Sequence, residues 1–502
     1  MKIYLRITAL LLAIVICVAA FASCGTTPAV KDETTTAPSN ENPTEAGSTG
    51  NQTEDESKVE TESEYKPAVT QKNYGAEFYL SIMPDVNPID YYWVKEASNN
   101  TLSDAIYARQ EKVRNYLGVE VIGTATGNTN TYIDPFKTAI KNKDDSVHML
   151  VSHVFFGIDG FITENYLMDY NDVSEIDTYA PYWNHQFMDD LSINGHVFLG
   201  FSDFNILYTN VVVFNKEMLD RYDDYIDTSF YDLVKDYRWT LDEMFAIASL
   251  VHTDTNADGK TTDDVFGLTA FNNISVAPFI QSSNMSVVEM DDKGNYSIAV
   301  YNEKNKQRMS DLVDKFAEFV ASDSAWIKKD GGLCASIFTE GRSLMYLSTT
   351  YGLPNLLQYD IDFGVLPYPM YDEAQKDVGY RSLQWGGYIC LPSYMKDEKM
   401  VCETVEMLSY FSEDVNTAFY EKLLGKQVAD SPLDRDMLAM VWDSVCSDFG
   451  QTYGSAMNSS VDFLFMLCNL VEEGTTSNLA SYVAQGENKA NKNLKKFVQK
   501  VK

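Results

Sequence analysis

After about residue 73 the apolar positions of this chain switch between two periods. Short, nearly unbroken apolar runs, "EFYLSIM" (Glu77 to Met83), "VEVIGT" (Val119 to Thr124), "SVHMLVS" (Ser146 to Ser152) and "LYTNVVVF" (Leu207 to Phe214), predict largely buried strands. Ser343 to Leu347 reads the same way. Between the first two runs, Leu102, Ile106, Val113 and Leu117 are spaced to share one helical face. Strands alternating with helices predict an α/β protein with a mainly parallel sheet, and ligands of such sheets gather at the strand C-terminal edge.

The best-marked helix start is "RWTLDEMFAIASLV". Thr240 and Glu243 make a capping box, and Trp239 with Met244 can form a hydrophobic staple across it. Met244, Ile247, Ala248 and Val251 then mark the buried face. Trp239 is also the shape of a ligand platform, but the staple accounts for it.

The pattern is different at the beginning. Lys2 and Arg6 precede an apolar run from Ile7 to Ala22 that ends in "FASCG". A basic start, a run of this length and small residues before the cut predict a secretory leader over residues 1–23. Cys24 after Ala22 and Ser23 resembles the bacterial lipobox, whose cysteine is lipidated, by a palmitate or related acyl chain, and opens the mature protein; Phe21 stands where Leu is commoner. A plain secretory signal or a single membrane span is the alternative, although a span wants about 20 apolar residues. From there to residue 71 the chain is acidic and rich in Thr, Ser and Pro with almost no large apolar residues, which predicts a disordered spacer between lipid and folded body. Roughly 430 residues remain, enough for two lobes rather than one core.

Charge narrows the partners. Lys+Arg number 39 against 73 Asp+Glu, a formal net charge of -34, which loss of Lys2 and Arg6 makes more negative still. Nucleic acid and anionic substrates are repelled by such a surface, so the expected ligand is neutral or cationic. Of seven cysteines, Cys17 lies in the leader and Cys24 at the lipid site. The remaining Cys334, Cys390, Cys402, Cys446 and Cys468 are odd in number and contain no C-x-x-C pair, so neither a disulfide framework nor a zinc site is expected.

Catalytic signatures do not emerge. The chain contains no G-x-S-x-G, P-loop, H-E-x-x-H or G-x-G-x-x-G, and its five histidines, at 148, 153, 185, 196 and 252, lack helical ligand spacing. Its many carboxylates would permit a glycosidase pair, but the sequence selects none, and no enzymatic activity is expected. One metal motif does appear. Asp254, Asn256, Asp258 and Gly259 reproduce the opening of an EF-hand loop, yet Val265 occupies position 12, where a regulatory loop needs a bidentate Glu. Calcium is therefore a possible structural ion with no cofactor required, its candidate ligands being Asp254, Asn256, Asp258, the Lys260 carbonyl, and Asp263 or Asp264. The metal-free alternative is an Asx-rich turn closed by Gly259.

The order of several segments carries a family resemblance. "VVVFNKEMLDRY", "YRWTLDEMFAIASLV", the Asp-rich loop and "DDVFGL" together resemble the family 1 extracellular solute-binding lipoproteins of bacterial ABC importers, in the carbohydrate-binding branch. "SDAIYARQEKVRNYLGVEV", "FTEGRSLMYLS", "FGVLPYPMYDEAQ" and "YEKLLGKQVADSPLDRDMLAMVWDSVCSDFGQTYG" agree in order and spacing. The resemblance implies a two-lobed periplasmic-binding-protein-like fold (type II), with a hinge, an interlobe cleft for sugar, and a monomer anchored on the extracellular face of the membrane that delivers its ligand to a transmembrane permease. It places hinge crossings near 207–214 and 383–392, one lobe at 73–208 and 386–430, and the other at 214–384 and 431–502. A peptide or amino-acid receptor of the same fold, or a sensory or adhesion lipoprotein, remains open.

A sugar cleft needs flat rings for the C–H face of a pyranose and paired polar groups for its hydroxyls. Loops that follow strand ends or enter the hinges supply the candidates. They are Phe155, Phe156 and Asp159 in "FFGIDG"; Asp203, Asn205 and Tyr208 in "GFSDFNILY"; Tyr351 in "STTYGLPN"; and Trp385 in "SLQWGGY". Tyr351 stands where relatives of the maltodextrin-binding type place a stacking aromatic. Gln281 and Asn284 in "FIQSSN" complete the set.

Overall fold

A buried strand needs both faces covered, and the all-buried run Asn210–Asn215 sits inside such a sheet. The structure is a computed structural model that describes residues 65–501 apart from 84–87, 126–130, 155–156, 425–431 and 474–477. The predicted leader, Cys24 and nearly all of the predicted spacer lie outside the described residues. Pro67–Lys502 cluster as one unit, whose fold follows.

Two main sheets organise it. The first has four strands in the order Gly386–Cys390, Met149–His153, Ala76–Ile82, Val119–Ala125. Its last three are mutually parallel, and Gly386–Cys390 joins antiparallel. The second runs Phe363–Pro367, Asn210–Asn215, Ser343–Thr349, Val265–Phe271, His252–Thr253, with Ala325–Lys328 also paired to Val265–Phe271. Here Asn210–Asn215 is antiparallel to both neighbours, whereas Val265–Phe271 is parallel to Ser343–Thr349 and Ala325–Lys328.

The departures from the expected parallel run fall on two strands. Asn210–Asn215 and Gly386–Cys390 are the strands on which the chain passes from one main sheet to the other, and each runs antiparallel to its neighbours there. The two transfers, at 206–210 and 383–386, lie side by side. Thr209 bridges Gln384, Trp385 N–H donates to the Tyr208 carbonyl at 2.9 Å, and Thr209 Oγ1 donates to the Leu383 carbonyl at 2.8 Å.

Local signals act as their chemistry dictates. The helix Thr101–Leu117 starts where the Asn100 side chain accepts from Leu102 N–H and Ser103 N–H, and it buries Leu102, Ile106, Val113 and Leu117. It ends at Gly118 in the left-handed region, φ 65°, where a Cβ would also strike Asn73. In the helix Leu241–Ser249, Thr240 caps through the Glu243 N–H, and Trp239 and Met244 are both fully buried. Trp239 Nε1 donates to the Pro367 carbonyl at 3.0 Å, so this ring is part of the packing beneath the second sheet's edge. Cys334, Cys390, Cys402, Cys446 and Cys468 are buried with free thiols. No helix among the described residues is long and apolar enough to cross a membrane.

Candidate ligand-binding site

Three parallel strands of the first sheet end on one edge, at Ile82, Ala125 and His153. The residues 84–87, 126–130 and 155–156 that come after them in the chain lie outside the described residues, and with them Phe155 and Phe156. Where the chain is described again it brings aromatic rings to this edge. Tyr91 and Tyr92 belong to a short turn beginning at Ile89, and they meet Tyr351, which follows the strand Ser343–Thr349 of the second sheet.

The rings form a connected cluster. Tyr351 stacks on Tyr208 with centroids 4.0 Å apart and planes 5° from parallel. Tyr91 meets Tyr351 edge-on at 5.2 Å, and His153 lies 5.7 Å from Tyr208. The Tyr92 and Tyr351 hydroxyls share a hydrogen bond of 3.0 Å, joining groups carried by different sheets. Burial pushes Tyr92 and Tyr208 each up to about 12, so both phenols keep their protons and can donate to oxygen. Burial also depresses His153 to about 3, leaving a neutral imidazole beside them.

Beneath Tyr92 is a buried cation that sequence reading passed over. Arg109 donates to the Tyr92 carbonyl at 2.6 Å and to Ser412 Oγ at 3.0 Å, with its guanidinium 4.4 Å from the Phe204 ring centroid. Its neighbour Gln110 exchanges two hydrogen bonds with the Val94 backbone. The Tyr91–Tyr92 turn is thereby fastened to the helix Thr101–Leu117 on both sides. A signal existed, since "DYYW" follows the first strand's C-terminal end.

The other expected residues take varied positions. Trp385 is 1% exposed, and its indole N–H donates to Asn210 Oδ1 at 2.6 Å, so in this conformation it fills the space between the crossings. Asn205 is buried too, accepting from Ser202 N–H and donating to the Gly387 carbonyl. That contact explains the Gly-Gly pair: Gly387 has φ 85° and lies so close to Asn205 and Tyr92 that a Cβ would crowd both, while a Cβ on Gly386 would come within 2.7 Å of His153. Asp159, in the helix Ile158–Thr163, accepts from Ser455 of the C-terminal segment, and burial raises its carboxyl against that hydrogen bond. Gln281 donates to buried Asp448 at 2.9 Å, and Asn284 is a left-handed turn residue, φ 52°, after the helix Phe279–Ser282. Neither belongs to the aromatic cluster.

Asp203 has a separate setting. It lines a cavity of about 270 Å³ together with Tyr182, Trp183, His185, Phe201 and Trp442. Burial, then the charge of Glu413, push its carboxyl up to about 7.

The Asp254 loop is a hairpin rather than a helix–loop–helix, because His252–Thr253 pairs antiparallel with Val265 and Phe266. Carboxylate oxygens of Asp254, Asp258 and Asp264 gather within 4.8 Å of one another. Asp264, not Asp263, joins the cluster; Asp263 contributes its carbonyl to Thr255 Oγ1. Asn256 and Asp258 are linked at 3.0 Å, and Lys260 turns its ammonium to the Val320 and Ser322 carbonyls. Oxygen donors of this kind fit a hard cation such as calcium. The same oxygens also serve the loop: Asp254 accepts from Ala257 and Gly259 N–H, and Asp264 from Thr255 and Thr261 N–H.

With this geometry in view, the comparisons with known proteins place the fold. No family model matches the chain, and no curated protein matches it. Among solved structures, the GacH receptor of Streptomyces glaucescens, described unliganded and in complex with acarbose, matches 85% of this chain and 99% of its own at 13% identity and TM-score 0.51. An ABC substrate-binding protein from Listeria monocytogenes in complex with cycloalternan matches 85% of this chain and 98% of its own at 11% identity and TM-score 0.50. The chain has the two-lobed substrate-binding-protein fold. Identities this low speak for the fold alone.

Proposed function

We propose that this chain is an extracellular solute-binding protein, anchored through lipid on Cys24, that delivers a neutral sugar or oligosaccharide to an ABC permease. The observation that carries the reading is the cluster of Tyr91, Tyr92, Tyr208 and Tyr351 where the strand C-terminal edge of one sheet meets the other. Rings offer stacking faces and protonated phenols offer hydroxyl partners, the two things a pyranose requires. The similar solved structures are described with carbohydrate-type ligands, acarbose and cycloalternan, which supports the same ligand class here. A net charge of -34 favours an uncharged solute over an anion.

In this reading the lobes are 73–208 with 386–430 and 214–384 with 431–502, of which 425–430 and 431 lie outside the described residues. Asp159 borders the cleft, and Trp385, Asn205 and the glycine pair keep the crossings in register. Tyr208 and Tyr351, now stacked on each other, separate to admit a ligand between the sheets. The protein works as a monomer. Calcium at Asp254, Asp258 and Asp264 is a fastening for the hairpin, remote from ligand exchange.

The test is calorimetric titration of the full chain with cycloalternan and a series of linear glucans, repeated with Tyr351→Ala. Loss of one stacking face should weaken the best ligand roughly tenfold, or about 1.4 kcal/mol. Unchanged affinity in the variant would remove the aromatic cluster from the ligand site.

A further inference from the structure

Beside the first crossing segment, the cavity at Asp203 is a second chemical environment that the sugar-binding reading does not use. Its walls come from both parts of the molecule. Tyr182, Trp183, Phe201 and Asp203 precede the crossing at 206–210, while Trp442 closes the helix Pro432–Asp443, which packs on the second sheet's edge strand Phe363–Pro367. Among the described residues no lysine or arginine lines it.

The aromatic residues are held from behind. Glu406 accepts from the Tyr182 hydroxyl and, at 2.9 Å, from Trp183 Nε1, and Phe187 stacks on Phe201 at 4.4 Å. Asp203 is held only by its backbone, with its N–H on the Tyr182 carbonyl at 2.8 Å and its carbonyl accepting from Asn416 Nδ2 at 2.9 Å. No described residue hydrogen-bonds or ion-pairs with its carboxylate, and that carboxylate is half-buried rather than sealed. A carboxylate desolvated in this way lacks a counter-charge, and the field of Glu413 adds to the deficit.

We infer that this cavity is a binding site for a small organic ammonium ion, whose positive centre would face the Asp203 carboxylate and lie against the aromatic rings. Ring faces attract cations, most strongly where water is excluded, and an unpaired carboxylate completes the recognition. About 270 Å³ is room for a compact amine and too little for an oligosaccharide. The overall negative charge draws such cations towards the surface.

The experiment is calorimetric titration of the full chain with tetramethylammonium, choline and a primary amine of similar size, with glucose as the uncharged control. Saturable binding of at least one ammonium ion is expected, weakened tenfold or more by Asp203→Asn and also by Trp442→Ala, each variant first checked for a single cooperative melt and a far-ultraviolet spectrum like the parent's. Absence of saturable binding for all three cations, or affinity unchanged in both variants, overturns the proposal. Displacement of the bound cation by glucose would overturn it as well, since the cavity would then be a sugar subsite. Titration of Tyr351→Ala with glucans separates a failure here from a failure of the sugar reading.

Discussion

Two groups beside the crossings contribute with opposite sign to how stability varies with pH. His153 has its folded pKa depressed to about 3 by burial, against an unfolded value near 6.5. The stability tied to its neutral form is complete above the unfolded value and is lost as pH falls from there towards 3. Asp203 has the opposite sign: its folded pKa is raised to about 7 from 3.8, so its contribution is complete below 3.8 and is lost as pH rises through 7. Glu413, which opens the helix Glu413–Leu424, and His185 and Tyr182 in the cavity wall are titratable groups near it. Asp203→Asn should therefore make the protein more stable than the parent at pH 8, by about 1–2 kcal/mol after allowance for water at a half-buried group, with the difference vanishing towards pH 4. Urea melts at both pH values measure it, and a variant less stable than the parent at pH 8 would contradict the account. This pair also shows what residue patterns convey. "SDFN" marks polar groups entering a hinge, but only the fold separates Asp203, open to a cavity, from Asn205, enclosed against Gly387.

Elements were more legible than residues, because their signals are local. The capping box at Thr240 and the apolar face behind it need only nearest turns to act, and the helix Leu241–Ser249 is where they place it. Thr240→Ala should cost about 1 kcal/mol, and Trp239→Ala about 3–5 kcal/mol through the void beneath Pro367; both are read from thermal melts. Strand direction was not legible. The run Leu207 to Phe214 announces a buried strand, but its first residues became a crossing, and it runs antiparallel to its neighbours where the chain arrives from the other sheet. The Asp254 hairpin is intermediate: the spacing announces an oxygen-rich loop, while the choice of Asp264 over Asp263 depends on the return strand's register. If calcium fastens it, millimolar calcium should raise the melting temperature of the parent but not of Asp264→Asn, and should leave glucan affinity unchanged. A calcium-dependent glucan affinity would contradict that separation.

At the scale of the whole molecule, two main sheets are joined by paired crossings at 206–210 and 383–386. Hydrogen bonds link the two parts, such as Asp159 with Ser455, Tyr92 with Tyr351 and Tyr453 with the Leu191 carbonyl. This arrangement follows from order along the chain rather than from any one motif, which is why the segment-by-segment resemblance conveyed it when single motifs did not. It also left the ligand open, since a peptide or amino-acid receptor would share the same fold. The measurement that tests the central claim most directly is a thermal-shift screen of the full chain against neutral mono- and oligosaccharides, amino acids and short peptides, each with calcium and with a chelator. A ligand that binds only the folded state raises the melting temperature by mass action, by the equivalent of about 2.7 kcal/mol at a hundredfold excess over Kd. The account predicts a shift with a neutral saccharide that persists in chelator; shifts confined to amino acids or peptides, or none with any saccharide, would contradict it.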